Sequence, residues 1–222
     1  MCGKFTAMYS WRQVHAFSQP LTVSPDDDVV TYRPMSNLPV IVFDKEKGTR
    51  RIVPMRWGFP HRSNPNRPDP IHVRSETIDE KPTFKDAFLN GQRGIVVMRT
   101  FNEGKELPNG KTEQWTIDPG DEIPRGFAFL WRRYEIAGLP APLLACVMAT
   151  VPPNKLIAAI TDRMPAILEA EDWAKWLGEE NASQADAKAV LKTMEGWLMA
   201  KEERAATAKR RRPTVSDPKR LF

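Results

Sequence analysis

The sequence contains few of the residues from which metal centres and disulfide frameworks are built. Its 222 residues include two cysteines and three widely spaced histidines. It has no Cys-x-x-Cys pair, no His-Glu-x-x-His motif, no Gly-x-Ser-x-Gly elbow and no glycine-rich phosphate loop. These absences argue against a zinc enzyme, a disulfide-stabilised secreted domain and a P-loop nucleotide-binding protein. We therefore expect neither a metal nor another cofactor.

The sequence also lacks a long uninterrupted hydrophobic run. Its longest stretch without a charge, residues 136–154, is broken by four prolines, whereas a membrane-spanning helix needs about 20 consecutive apolar residues. Residues 1–5 (MCGKF) do not have the apolar length of a secretion signal. We expect a cytoplasmic protein without a membrane anchor, in a compartment that keeps thiols reduced.

Positive charge is concentrated at one end of the chain. The net charge is +5, and residues 201–222 alone hold eight lysines and arginines against three acidic residues. This distribution predicts a single domain over residues 1–200, followed by a basic C-terminal tail over residues 201–222. Such a tail either contacts nucleic acid or is merely solvated, and its composition alone favours neither interpretation.

Strand-forming residues dominate the hydrophobic segments. β-branched and aromatic runs predict strands at residues 29–35, 39–44, 51–57, 94–101, 113–118, 127–134 and 143–151. Helices are predicted for residues 11–18, 83–89, 153–160, 170–177 and, from an Ala-, Leu-, Lys- and Glu-rich composition, 183–209. The strands do not alternate one for one with helices. We therefore predict an α+β fold with a curled antiparallel sheet, a barrel-like core and peripheral helices.

Cys2 is the first candidate for chemistry. If Met1 is removed, Cys2 carries both a free α-amine and a thiol, and both are partly nucleophilic near neutral pH. This 1,2-aminothiol would condense with an aldehyde, first as an imine and then as a thiazolidine ring. It could instead act as an N-terminal nucleophile on an amide, or be an unremarkable residue at a frayed end. Cys146, surrounded by apolar residues, is predicted to be a small core residue.

Residues 50–74 form a second candidate region. They contain six arginines, no lysine and one acidic residue, and Trp57, Phe59, His61 and His72 are interleaved with the arginines. Guanidinium groups suit phosphates and aromatic faces suit bases, so the segment is typical of a single-stranded nucleic-acid groove in which Trp57 contacts DNA. The alternative is a solvated edge whose aromatic residues belong to the core.

Six segments in the same order resemble one family, the SOS-response-associated peptidases (SRAP), which shield abasic sites in single-stranded DNA. They are residues 1–5 (MCGKF), 56–59 (RWGF), 71–77 (IHVRSET), 101–103 (FNE), 127–131 (FAFLW) and 160–168 (ITDRMPAIL). The resemblance implies a β-rich SRAP-like fold and a thiazolidine crosslink between the N-terminal cysteine and the ring-opened aldehyde of an abasic site. It identifies the chain as a divergent member.

The resemblance also assigns roles to individual residues. Cys2 would be the nucleophile and Glu103 the acidic catalyst that helps to open the sugar and moves protons. Arg74 and Arg163 would contact DNA. Lys4 would do so as well, although it replaces the family's usual arginine and loses the bidentate fork.

Two positions depart from the family pattern. His72 stands where the family has asparagine, and Thr161 stands where it has a histidine that acts as acid or base. Threonine does not titrate near neutral pH. The two positions share one pocket in relatives, so His72 is a candidate to replace the missing histidine.

Three functional hypotheses remain open at this stage. The first is a lyase-like crosslinking protein that also has peptidase activity on its own N-terminus. The second is a single-stranded DNA-binding module that no longer reacts, and the third is an N-terminal-nucleophile hydrolase acting on a small amide. The first two predict single-stranded DNA containing abasic sites as the partner, a monomeric state and association with the nucleoid during DNA damage.

Overall fold

A computed structural model describes residues 3–7, 30–121 and 123–201 of the chain. Cys2, the helix predicted at residues 11–18 and nearly all of the basic tail lie outside the described residues. The strands, in chain order, are β1 (Lys4–Ala7), β2 (Val30–Tyr32), β3 (Asn37–Asp44), β4 (Thr49–Trp57), β5 (Pro60–His61), β6 (Asn64–Pro68), β7 (His72–Arg74), β8 (Arg93–Met98), β9 (Thr100–Glu106), β10 (Thr112–Asp118), β11 (Arg125–Tyr134), β12 (Leu143–Val151), β13 (Met164–Pro165), β14 (Ile167–Leu168) and β15 (Leu198–Lys201).

The centre of the fold is a ring of five strands that closes on itself. Strands β12, β4, β3, β8 and β11 pair in that order, and β11 pairs again with β12. The pairings around the ring are antiparallel except for β12 with β4, where Cys146 lies opposite Trp57. Strand β7 adds to β12 in parallel, with His72 opposite Met148. Closure of the ring leaves its strands without free edges, and the predicted barrel-like core is confirmed.

A second, antiparallel sheet contains the N-terminal strand. Its order is β15-β10-β9-β1-β2. Aromatic contacts join this sheet to the ring, because the Phe5 ring lies 5.1 Å from the Trp57 ring and Phe101 lies 6.0 Å from Phe127, centroid to centroid. The hydrophobic core is therefore continuous between the two sheets. Cys146 is fully buried in this core, as predicted, and burial raises the pKa of its thiol.

The helices lie at the periphery: α1 (Pro82–Leu89), α2 (Trp173–Leu177) and α3 (Gln184–Ala189). The helices predicted at residues 83–89 and 170–177 are confirmed, the second beginning with a 3-10 turn at Ala170–Asp172. A Cβ on Gly126 of β11 would lie 2.5 Å from the Trp173 ring, so this glycine permits the close approach of α2. No helix within the described part of the chain is long and apolar enough to cross a membrane.

Two of the predicted helices differ from the structure. Residues 153–160 contain only a 3-10 turn, Ile157–Ala159. The long helix predicted for residues 183–209 is wrong, because α3 ends at Ala189 and the chain later forms β15. Gly196 has a φ of +86°, which an α-helix does not accommodate, and Trp197 packs 5.4 Å from Phe101, centroid to centroid. Tertiary packing of Trp197 thus overrides the helix-forming composition of the segment.

Candidate functional site

The pairing of β1 with β9 brings the start of the chain beside Glu103. Lys4 lies opposite Asn102 and Phe5 lies opposite Phe101. Phe5 is fully buried, and its contact with Trp57 fixes β1 against the ring. The side chain of Glu103 is also buried, with 1% of the residue exposed. A carboxyl group in such a position has a fixed location relative to the strand that leads to Cys2.

A depression of about 550 Å³ opens over this strand pair. Its lining is almost entirely polar and carries two cationic side chains and one carboxylate. A Cβ on Gly104 would come within 2.7 Å of Thr112 Cγ2, so the glycine leaves room at this position. The lining consists of Gly3, Lys4, Arg33, Asn102, Gly104, Glu106, Thr112 and Gln114.

Trp57 connects the second sheet to His72. Its ring centroid lies 5.1 Å from that of Phe5 and 6.2 Å from that of His72. The indole N–H donates a hydrogen bond of 3.1 Å to the Ile71 carbonyl, immediately before His72. Trp57 is fully buried, so it holds β1 and β7 together while exposing no ring face. Its predicted contact with DNA stays a prediction.

His72 and Arg74 share one face of β7, because Val73 between them is buried and alternate residues of a strand point to opposite sides. Arg74 is exposed and lies 4.0 Å from Asp162, the residue after Thr161. Thr161 is half-buried, and its backbone N–H donates to the Ile157 carbonyl at 3.0 Å. The structure therefore brings Arg74 to the loop that carries Thr161.

Arg163 is held by a bidentate ion pair. Its two terminal nitrogens donate to Glu76 at 2.5 and 2.8 Å, and one of them also donates to the Thr150 carbonyl at 2.7 Å. The hydrogen bonds from Arg163 lower the pKa of Glu76 from 4.5 to about 2. Only 7% of Arg163 is exposed. In this arrangement the guanidinium group joins the loop after Thr161 to β12 and to the 3-10 turn Ser75–Thr77.

The arginines of residues 50–74 do not form one continuous surface. Arg50 is buried, pairs with Glu179 at 2.5 Å and lies 5.6 Å from the Trp173 ring centroid. Arg56 donates to backbone carbonyls, including Pro65 at 2.8 Å. Phe59, like Trp57, is a core residue. The structure thus favours the alternative in which the aromatic residues of this segment belong to the core.

Sequence reasoning missed several residues around Glu103. Asn102 is buried and donates a hydrogen bond of 2.9 Å from Nδ2 to Thr116 Oγ1. Thr112 and Gln114 line the depression, and they alternate along β10. This alternation of polar residues with period two was the available signal. Arg33, which follows β2, had no comparable signal.

The Glu76–Arg163 pair predicts a specific pH dependence of stability. Glu76 has a folded-state pKa near 2 against an ordinary 4.5, so the pair stabilises the fold fully above the ordinary value. That contribution is lost as the pH falls from 4.5 towards 2. Because 46% of the Glu76 side chain is exposed, screening reduces the effect, and we expect Glu76→Gln to lower the free energy of unfolding by about 1–2 kcal/mol at pH 7.

Urea unfolding of the wild type and Glu76→Gln at a series of pH values measures this effect. The difference between them should shrink below pH 4.5. Glu80→Gln, at an exposed position nearby, is the matched control and should leave stability nearly unchanged. A Glu76→Gln effect of equal size at pH 2 and pH 7 would contradict the assignment.

Comparisons with known proteins agree with this architecture. A family model described as "SOS response associated peptidase (SRAP)" matches residues 1–206. The abasic site processing protein YoqW of Bacillus subtilis (strain 168) is 27% identical over 205 residues, covering 86% of each chain. The abasic site processing protein HMCES of Pongo abelii is 26% identical over 207 residues, covering 75% of this chain and 58% of that protein.

Solved structures share the fold. A crystal structure of a protein from Bacteroides thetaiotaomicron superposes with a TM-score of 0.77 at 20% identity, covering 91% of this chain and 93% of that chain. A crystal structure of a protein from Bordetella bronchiseptica gives a TM-score of 0.74 at 19% identity, covering 91% of this chain and 100% of that chain. At these identities the likeness concerns the fold alone.

Proposed function

Because this chain belongs to the SOS response associated peptidase family, we propose that it processes abasic sites in single-stranded DNA through a covalent bond to Cys2. One observation supports the proposal. The antiparallel β1–β9 register has Lys4 opposite Asn102, so its next step puts Gly3, which directly follows Cys2, opposite the buried Glu103. The names of relatives such as YoqW, an abasic site processing protein, point to the same substrate.

The proposed reaction begins with removal of Met1, by hydrolysis of the Met1–Cys2 peptide bond through the chain's own peptidase activity. The freed α-amine attacks the C1′ aldehyde of the ring-opened abasic sugar, and loss of water gives an imine. The Cys2 thiolate then adds to the imine carbon while the nitrogen takes up a proton. The product is a thiazolidine. Hydrolysis of the Met1–Cys2 bond consumes one water and releases methionine, and formation of the adduct then releases one water.

Glu103 and His72 would move the protons in this sequence. The aldehyde forms only when the sugar ring opens, which needs proton transfer to the ring oxygen and from the anomeric hydroxyl. Glu103 lies one residue beyond Asn102 on β9, next to the start of β1, whereas the carboxyl group of Glu106 lines the depression itself. His72, against Trp57, would take part of the role of the absent histidine. Lys4 and Arg74 would bind phosphates flanking the abasic site.

Arg163 would affect DNA binding indirectly, because its guanidinium group is already held by other residues. It is the second arginine that the family resemblance assigns to DNA contact, and its guanidinium is engaged by Glu76 and Thr150. We propose that it positions the loop carrying Thr161 and Asp162, and with it Arg74, against the strand. Trp57 would support the same surface from beneath, through its contacts with Phe5 and His72.

Incubation with single-stranded DNA that contains one abasic site, followed by denaturing electrophoresis, tests the proposal. We expect a band that survives denaturation, and intact mass should show loss of Met1 and gain of the DNA minus one water. Undamaged DNA of the same sequence should give no such band. Turnover of small amides without any DNA adduct would instead support the N-terminal-nucleophile hydrolase.

A second candidate function is a DNA-binding module that no longer reacts. Thr161 favours it, because a hydroxyl cannot supply the acid/base group that relatives have at this position. This candidate predicts binding to abasic single-stranded DNA with no denaturation-resistant band. The retained Cys2 and Glu103 favour the first candidate.

Replacement of His72 tests whether it compensates for Thr161. We expect His72→Ala to slow adduct formation at saturating DNA by about tenfold or more near neutral pH, because an ordinary imidazole titrates near 6.5 and can exchange protons there. His61→Ala, a histidine on the β5–β6 hairpin, is the control: a change in DNA affinity does not count at saturating DNA, and its rate there should match the wild type. Equal rates for wild type and His72→Ala at saturating DNA would exclude the compensating role.

Removal of the basic tail should weaken DNA binding without stopping the chemistry. Residues 204–222 hold seven basic residues and one acidic residue. Each phosphate neutralised on single-stranded DNA contributes about 0.7 to the slope of log affinity against log salt, so loss of two or three contacts lowers the slope by roughly 1.4 to 2.1. Binding titrations across salt concentrations measure this slope. An unchanged slope would identify the tail as merely solvated.

A further inference from the structure

A second cavity, of about 980 Å³, lies beyond the end of β4. The short hairpin β5–β6, the end of β11 and the start of α1 enclose it. Phe59 and Tyr134 form an aromatic wall, and Pro60, Pro65, Pro70 and Pro82 extend that wall with rigid apolar surface. Arg62 and Arg132 supply cationic groups. Neither the family resemblance nor the proposed chemistry at Cys2 uses this cavity.

The aromatic wall is held in place by packing. The Phe59 and Tyr134 rings meet edge to face at 5.5 Å between centroids. The Arg132 guanidinium lies 5.8 Å from the Tyr134 ring centroid and donates to the Thr83 carbonyl at 3.1 Å. Burial raises the pKa of Tyr134 to about 12, so the phenol is neutral and presents both a ring and a hydroxyl donor.

The charge balance of the cavity favours an anionic ligand. Two acidic residues line it, Glu135 and Asp69. Glu135 pairs with Arg133 at 3.0 Å, which leaves Asp69 as the one acidic group of the lining that has no arginine or lysine paired with it among the described residues. The two arginines of the lining, Arg62 and Arg132, outnumber it and make the field in the cavity positive. An apolar aromatic wall beside a positive field suits a ligand that is planar at one end and anionic at the other.

The cavity adjoins the candidate reaction site. The Phe59 N–H donates to the Pro70 carbonyl at 3.0 Å, and the Trp57 indole donates to the Ile71 carbonyl at 3.1 Å. Pro70 lines the cavity, and His72 follows two residues later. Two residues span at most about 7 Å. A strand bound at His72 would therefore bring its next nucleotide within reach of the cavity.

We propose that this cavity binds the nucleotide adjoining the abasic site, with the base against Tyr134 and the proline surface and the phosphate at Arg132 and Arg62. The inference rests on the proposed function, because it assumes that single-stranded DNA passes His72. It adds a flanking-base requirement that the chemistry at Cys2 does not need. Stacking against an aromatic side chain is tolerant of base identity. We therefore expect all four bases to bind with similar affinity and a missing base to weaken binding.

The test uses single-stranded oligonucleotides with a tetrahydrofuran spacer, an abasic analogue that cannot open to an aldehyde. In one oligonucleotide both neighbours of the spacer keep their bases. In two others, either the 5′ or the 3′ neighbour is also a spacer. We expect the wild type to bind one of these two about tenfold more weakly, the size that loss of one stacked base produces. For Tyr134→Ala this difference should fall to less than about twofold.

Further variants separate the contributions that the Tyr134 ring, the Tyr134 hydroxyl and the Arg132 charge make to DNA binding. Tyr134→Phe keeps the ring and should retain the tenfold difference. Arg132→Gln should weaken binding to every oligonucleotide and lower the salt slope by about 0.7. Arg125→Gln, at the opposite end of β11 and paired with Asp121, is the matched control and should behave as the wild type. Thermal unfolding of each variant shows whether it folds. If Tyr134→Ala does not fold, the DNA affinity of Arg132→Gln tests the inference instead.

Equal affinity of the wild type for all three oligonucleotides would overturn the inference. So would a difference that persists in Tyr134→Ala, or an effect of Arg132→Gln no larger than that of Arg125→Gln. The proposed function has a separate readout, the denaturation-resistant band with reactive abasic DNA. If the adduct forms but a missing flanking base does not weaken binding, only the inference about the cavity is wrong. If a missing flanking base weakens binding but no adduct forms, only the proposed chemistry at Cys2 is wrong.

Discussion

The Cys2→Ala variant is expected to form no denaturation-resistant adduct with abasic single-stranded DNA, while its noncovalent affinity for DNA changes by no more than a few-fold. The thiol closes the ring that makes the bond stable, whereas phosphate contacts come from cationic side chains such as Lys4 and Arg74. Electrophoresis under denaturing conditions measures the adduct. Anisotropy titration with the unreactive tetrahydrofuran oligonucleotide measures affinity.

Two further variants sharpen this test. Cys2→Ser should give only a weak, hydrolysable imine, since a hydroxyl closes the ring far less readily than a thiol, and borohydride reduction should trap that imine. Cys146→Ala removes the buried core thiol and should leave adduct yield unchanged if the variant folds. A stable adduct in Cys2→Ala would exclude the thiazolidine.

Much of the fold could be predicted because the core strands carry their signal locally. Residues 127–134 and 143–151 are apolar, β-branched and aromatic runs, and both form strands of the closed ring. The failure at residues 183–209 has the opposite cause. Their composition favours a helix, yet burial of Trp197 in the core stabilises the fold more than continuation of the helix would. A contact between residues so distant in sequence leaves no local signal.

The sequence predicted which residue types belong to the candidate site, but not which of their side chains are buried. The sequence identifies an arginine and a tryptophan as groups suited to DNA, and their contact with DNA stays a prediction. It does not show that Trp57 faces the core or that Arg163 is bound by Glu76. Both facts follow from ring closure and from the parallel pairing of β7 with β12, which are properties of the topology.

The cavity next to His72 was not predictable at all. The composition of residues 61–70, which include three prolines and two asparagines, indicates a surface loop, and much of the segment is exposed. In the structure it forms the hairpin β5–β6, with Pro60 paired to Pro68 and His61 to Asn64. The prolines that predict a loop supply rigid apolar surface once Arg132 and Tyr134 from a distant strand lie against them.

Glu103→Gln is expected to slow adduct formation at saturating DNA by about 100-fold, the lower range for loss of a positioned proton-transfer group. Glutamine keeps the shape of the buried side chain but can neither accept nor release the proton that ring opening and imine formation require. Because Glu103 is 1% exposed on β9, bulk water is poorly placed to substitute. The pseudo-first-order rate of band formation gives the effect.

The control for this variant is Glu113→Gln, a carboxylate on the adjacent strand β10, opposite Lys105. It removes the same charge from the same sheet, but its strand does not pair with β1, and its rate should match the wild type within about twofold. Equal slowing in both variants would show that the loss of charge, rather than the position of Glu103, is responsible. Unchanged DNA affinity together with a slow rate in Glu103→Gln alone would assign proton transfer to Glu103, because a binding defect lowers affinity and disappears at saturating DNA.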